Sequence, residues 1–486
     1  MSGSWWSQAT IYQVYPRSFQ DSDGDGVGDL EGIRARLAYL AELGVDALWL
    51  SPIYSSPNAD LGYDVSDFTG VDPVFGSLEQ FDAMLAEAHE RGLRVLLDFV
   101  PSHTSIEHPW FRDHPERYVW SDRDGPPNNW LATFGGPAWS RDERSGRWYL
   151  HSFYPEQPDL DWRNPEVRNE MSGAIRFWAD RGVDGFRLDA IDRLIKDERM
   201  RDDPPASRPF PLPHRPEYDS LEHVRSSNDP EIGIALAAIR EAAPDLFLVG
   251  EVYLPSEGLG TYLPHLDAAF AFELLHSPFE LERVRSVLEK AQRKGLIGSL
   301  AWVLSNHDFP RLVSRLGHER ARLAAMLLLT LPGTAFIYQG DEIGMADGPG
   351  ADPPIDRADR DPFRHPMQWD ATPSGGFSIG KPWLPMTDPA DRNVADQESD
   401  PGSLLHLYRS LIALRGELGP GFELLDVGPQ LLAYRRGEHL VALNFSDAAV
   451  NVPPNGELML GTDPATEAGS RPAAIGPFGG VVLRSE

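Results

Sequence analysis

The chain predicts a (β/α)8 barrel, with a small domain inserted after strand three and an all-β domain at the C-terminus. Three observations carry this. Short apolar runs alternate with amphipathic helical stretches through most of the 486 residues, the pattern of a parallel sheet wrapped by helices. The alternation stops between His103 and Asn164, where Trp, Pro, Gly and charged residues crowd together without helical period, over a stretch too long for a simple loop. From about Gly421 the period changes to two, in QLLAYRR and HLVALNFS, as in half-buried strands.

The eight candidate barrel strands follow in order: TIYQVYP from Thr10, ALWLSP from Ala47, RVLLDFV from Arg94, GFRLDA from Gly185, LFLVGE from Leu246, AAFAFE from Ala268, LAWVLSNHD from Leu300 and AFIYQGDE from Ala335. Between them, LEGIRARLAYLAELG and LEQFDAMLAEAHERG each read as a helix stopped by Gly. A second irregular stretch, Ala346 to Asp400, is rich in Asp, Pro and Gly and follows the last strand. The predicted organisation is a first part of the barrel over 1–102, an inserted domain over 103–164, the rest of the barrel with a long loop after strand eight over 165–421, and the terminal β domain over 422–486.

Acidic residues outnumber basic ones, 74 to 44, for a formal charge of −30. Such a surface repels phosphate backbones and anionic lipid, which argues against nucleic-acid and membrane partners. The absence of Cys excludes disulfides, thiolate metal sites and a cysteine nucleophile. The start, MSGSWWSQATIYQVYP, shows no basic region followed by an apolar run. The apolar stretch near Met326 to Leu331 is too short to span a bilayer. A cytoplasmic protein is the expectation.

The active site of such a barrel lies where its strands end, and these strands end in an unusual set of groups. Strand three closes with Asp98 and is followed by His103; strand four carries Arg187 and Asp189; strand five ends at Glu251; strand seven ends at His307 and Asp308. Arg187 and Asp189 are two apart on a strand and share one face. That geometry lets the guanidinium hold Asp189 ionised, as a covalent nucleophile requires, although an isolated RxD is more often a structural ion pair. Glu251 is placed to donate a proton. Three carboxylates with Arg and His in one mouth favour sugar chemistry through an oxocarbenium-like transition state.

The loop DSDGDGVGD, Asp21 to Asp29, spaces carboxylates at alternate positions with Gly at the bend. Oxygen ligands so spaced suit calcium, and magnesium is a second candidate. Asp21, Asp23, Asp25 and Asp29 with the carbonyl of Val27 are the expected ligands; the alternative is a polar turn.

The segments DFVPSH, GFRLDA, GEVY and SNHD, in this order, resemble the four core motifs of the α-amylase superfamily, glycoside hydrolase family 13. WWSQATIYQVYPRSF, DSDGDGVGDLEGI, GVDALWLSPIYSSP, DLGYDVSDF, QPDLDW, RDPFRHPMQWD and GFSIGKPWLP resemble its α-glucosidase and oligo-1,6-glucosidase branch, as far as about Pro385. The resemblance implies Asp189 as nucleophile, Glu251 as acid/base and Asp308 as the carboxylate that stabilises the transition state. It implies Asp98, His103, Arg187 and His307 around the first sugar, and Asp60, Tyr63 and Arg360 binding the terminal glucose. It further implies a β-sandwich for the last domain and a metal in the acidic loop. A pocket closed by an acid and an arginine implies a retaining, exo-acting α-glucosidase acting on short substrates such as maltose and malto-oligosaccharides, with transglucosylation as a side reaction. Oligo-1,6-glucosidase, trehalose- or sucrose-acting enzymes and isomerases share the same triad, and the superfamily also holds non-catalytic scaffolds. Family members usually carry Asn before the first-motif His, which in the amylases helps hold a calcium; Ser102 stands here, so that second calcium is not expected. Ala190, where a Val accompanies α-1,6 cleavage in the resembling enzymes, points to α-1,4 bonds.

Overall fold

The computed structural model describes residues 4–207, 217–452, 456–466, 468–470 and 472–484. Eight strands close into a parallel barrel: β1 (Thr10–Val14), β2 (Ala47–Leu50), β3 (Arg94–Phe99), β4 (Gly185–Leu188), β5 (Phe247–Gly250), β6 (Ala268–Phe270), β7 (Leu300–Val303) and β8 (Thr334–Tyr338). Neighbours in sequence are neighbours in the barrel, and β1 pairs with β8 to close it. Nearly every strand residue is buried, as expected for parallel strands covered on both faces. Alternate residues fill the interior, where Ile11, Trp49, Leu96, Phe247, Val249, Phe270, Val303 and Phe336 form one apolar cluster. The same parity turns Gln13, Asp98 and Arg187 inward at the C-terminal end of the strands.

The strands are shorter than the sequence suggests. β7 stops at Val303, so His307 and Asp308 lie on the following turn, and after Tyr338 the chain turns at Gln339 and Gly340 into a short 3-10 helix, Asp341–Ile343. The side chains there have partners outside the ladder: Asp308 pairs with Arg360 and Arg364, and Glu342 accepts the Tyr12 and Tyr39 hydroxyls. The expected single helix after the acidic loop is two, Leu30–Ala35 and Leu37–Leu43, broken at Arg36. Ser77 and Gln80 form a capping box on Leu78–Glu90, and Asn164 caps the helix Pro165–Arg181, which stops at Gly182 with φ 101°.

Between β3 and that helix, Trp120–Ser121, Trp148–Leu150 and Trp139–Arg141 make a small antiparallel sheet. After the barrel, Glu423–Leu425, Leu431–Arg436, His439–Asn444, Gly480–Arg484 and Glu457–Gly461 form a five-stranded antiparallel sheet in that spatial order. Among the described residues no helix is long and apolar enough to cross a membrane.

Candidate active site

Arg187 is the hub of the barrel mouth. Its Nη1 donates to Asp98 Oδ1 at 2.7 Å and to Asp189 Oδ1 at 2.6 Å, and its Nη2 lies 2.8 Å from Glu251 Oε2. Asp189 and Glu251 are the first residues past β4 and β5, so paired neighbouring strands deliver them side by side. Glu251 also accepts the Ala190 N–H at 3.0 Å through Oε2 and the Tyr253 hydroxyl at 3.0 Å through Oε1. Ala190 takes a left-handed conformation, φ 42°, directly after Asp189, and this turns its N–H toward Glu251.

A second group faces the first. Asp308 Oδ1 accepts Arg360 Nη1 at 2.9 Å and Arg364 Nη2 at 3.1 Å. Arg360 also pairs with Asp60 and, at 2.7 Å, with Asp356. Tyr63 stacks on His307 with ring centroids 5.4 Å apart and 9° between planes. Gln157 Nε2 donates to Asp60 Oδ2 at 3.0 Å and lies 3.0 Å from His103 Nε2. Asp60, Tyr63, His103, Asp189, Glu251, Asp308 and Arg360 thus line one cavity, with Phe134, Phe153 and Tyr253 on its wall. Asp98, Arg187 and His307 are fully buried one layer behind, where they hold the lining residues.

The two groups differ electrically. Burial pushes Asp98 up to about 6 and raises Asp189 well above the usual carboxylate range; Arg187 opposes this, and the neighbouring carboxylates add to it. The expectation that the Arg187 contact lowers Asp189 is therefore corrected: burial and the neighbouring carboxylates outweigh the guanidinium that Asp189 shares with Asp98 and Glu251. Burial works to raise Asp308 too, but the positive charge around it, with Arg360 and Arg364 in direct contact, holds it well below the usual range. Burial lowers His307 to about 3 and His103 to about 4, so both rings are neutral near pH 7.

In the acidic loop, Asp21, Asp23 and Asp29 each offer an oxygen within 4.8 Å of the others. Asp25 stands outside this group and accepts the Val27 N–H at 2.7 Å, so of the four expected carboxylates the fold brings three together. Three hard oxygens fit calcium or magnesium. Gly26, with φ 97°, is required there, because a Cβ would meet the Lys381 carbonyl oxygen at 2.1 Å. Farther along, Ser102 Oγ contacts His103 Nδ1 at 2.9 Å, and the Lys196 ammonium meets Asp159 at 2.5 Å and ties the inserted segment to the loop after β4.

The family model for the α-amylase catalytic domain matches residues 13–419. The chain belongs to the α-amylase family. A probable α-glucosidase of Rhizobium meliloti is 44% identical over 85% of this chain and 82% of its own. The oligo-1,6-glucosidase of Parageobacillus thermoglucosidasius is 37% identical over 92% and 91%. Among solved structures, the α-glucosyl transfer enzyme XgtA matches with TM-score 0.92 and 36% identity over the whole of both chains. Within this family member, sequence reasoning missed Arg364, Gln157, Tyr253 and Gln13 as parts of the site. Arg364 lies four residues after Arg360 in RDPFR and Gln157 opens QPDLDW, so both were inside quoted motifs. Gln13 carried a parity signal, sharing a strand face with Ile11.

Proposed function

We propose that the pocket hydrolyses the terminal α-glucosidic bond of short oligosaccharides with retention, and that its preferred bond is α-1,4. The observation that carries this is the lining of one cavity by Asp189, Glu251 and Asp308 with the Asp60–Arg360 pair in its wall. In the first half-reaction, Asp189 Oδ attacks the anomeric carbon while Glu251 gives its proton to the glycosidic oxygen, and the aglycone leaves as an alcohol. In the second, Glu251 takes a proton from water as that water's oxygen displaces Asp189, which releases α-glucose. Arg187 steadies Asp189 through Nη1 and Glu251 through Nη2 in both halves. Asp308, kept ionised by its two arginines, stabilises positive charge on the ring. A sugar hydroxyl in place of water gives transglucosylation by the same steps.

Arg360 and Asp60 are the polar grip for a terminal glucose, which favours exo action on substrates such as maltose and malto-oligosaccharides. Asp21, Asp23 and Asp29 would hold one calcium as a brace for the first barrel loop, away from substrate. The test is a time course of products from maltose, isomaltose, sucrose and trehalose. Glucose released fastest from maltose supports the reading; an isomerised disaccharide from sucrose as the main product overturns it.

A further inference from the structure

Gln13 is a polar side chain buried at the C-terminal end of β1, 1% exposed, and it enters no step above. Its Nε2 lies 2.8 Å from His307 Nδ1 and 3.2 Å from Ser51 Oγ. The direction of the hydrogen bonds beyond it can be fixed from the far end. Asp98 accepts on both oxygens: Oδ1 from Arg187 at 2.7 Å, and Oδ2 from Trp49 Nε1 at 3.2 Å and from the Tyr63 hydroxyl at 2.9 Å. Tyr63 has one proton, and it points to Asp98. The Tyr63 oxygen, 2.6 Å from His307 Nε2, is then an acceptor, so Nε2 carries hydrogen. A neutral imidazole so protonated leaves Nδ1 as a bare acceptor, and the partner facing it is the amide nitrogen of Gln13.

We propose that Gln13 is a positioning residue that locks His307 in the Nε2–H tautomer, and thereby orients the Tyr63 hydroxyl onto Asp98 beneath the cavity. A carboxamide suits the place because its NH2 can only donate. A glutamate of the same size presents only acceptors when ionised; it would draw a proton onto Nδ1. The effect reaches the reaction through Tyr63, whose ring lines the cavity, and through Asp98, which shares Arg187 with Asp189.

The test has two arms. The imidazole nitrogen shifts of the protein labelled with 15N-histidine, with His307 assigned by its disappearance in His307→Gln, are read without substrate and so do not depend on the reaction assigned to the pocket. The expected spectrum shows Nδ1 of bare type and Nε2 of protonated type; a protonated Nδ1 in the native protein overturns the proposal, whatever the variants do. In the second arm, Gln13→Glu is compared with Gln13→Met on p-nitrophenyl α-glucoside. Gln13→Glu should move the proton to Nδ1 and lower kcat by about 10- to 100-fold, the range known for losing the hydrogen-bond partner that orients a metal-ligating histidine, with a smaller change in KM. Equal kcat in Gln13→Glu and native enzyme overturns the proposal; so does a folded Gln13→Glu whose Nδ1 stays bare.

Discussion

Asp98 and Arg187 are register partners on adjacent parallel strands, and their side chains meet at 2.7 Å inside the barrel. Backbone pairing therefore sets the position of the guanidinium that reaches Asp189 and Glu251. A lysine cannot reproduce this, since a single ammonium lacks the planar fork that serves three carboxylates at once. Arg187→Lys should keep the barrel folded and lose at least about 100-fold in kcat, comparable with removing a preorganised donor. Steady-state kinetics beside circular dichroism check this; near-native kcat would show that the hub is structural.

The acidic loop separates stability from turnover. Asp29 caps the helix Leu30–Ala35 by accepting the Gly32 N–H at 2.7 Å, so its loss destabilises with or without a metal. Asp23 is exposed and has no such duty to the helix. Calcium should raise the melting temperature of the native protein, and Asp23→Ala should abolish that rise while leaving low-temperature activity near native. A calcium-induced rise of the same size in Asp23→Ala, by scanning calorimetry, would remove the site.

Ala190 lines the cavity beside Asp189, and its φ of 42° tolerates a β-branched side chain poorly. Ala190→Val should cost on the order of 1 to 3 kcal/mol of stability and shift kcat/KM from maltose toward isomaltose. Kinetics on both disaccharides decide it. A native preference for isomaltose, or no shift in the variant, contradicts the α-1,4 reading.

Stability should peak near neutral-to-acid pH, about pH 6. Burial raises Glu342 to about 7, Asp341 to about 6 and Asp98 to about 6; the stability tied to their protons is full at low pH and is lost as pH rises through those values. Burial lowers His103, His108 and His365 to about 4 and His307 to about 3. For these, stability is full above the unfolded value of about 6.5 and is lost as pH falls toward 4. A melting temperature that does not change between pH 4.5 and pH 8, about the span of both windows, would refute the balance.

The barrel was legible because each strand is an apolar run bounded by Gly or polar residues, and buried parallel strands look like that in sequence. The end of β7 was not, since Ser305 to Asp308 continue the run while their hydrogen bonds go to the mouth: Ser305 donates to Asp341 at 2.5 Å and Asp308 turns to its arginines. The triad was legible through strand ends and motifs. The link from Asp308 to Arg360 spans 52 residues, across two helices, β8 and an irregular loop, and no local period encodes such a contact. Gln13 is a polar residue on an inward face, and its partners, His307 Nδ1 and Ser51 Oγ, come from other strands and loops.

The anomer first released settles the central claim most directly. Proton NMR of maltose hydrolysis, recorded before mutarotation is complete, should show the glucose from the non-reducing end appearing as the α anomer, because Asp189 and then water each invert C1. Glucose appearing first as the β anomer would mean a single displacement by water and would contradict Asp189 as nucleophile.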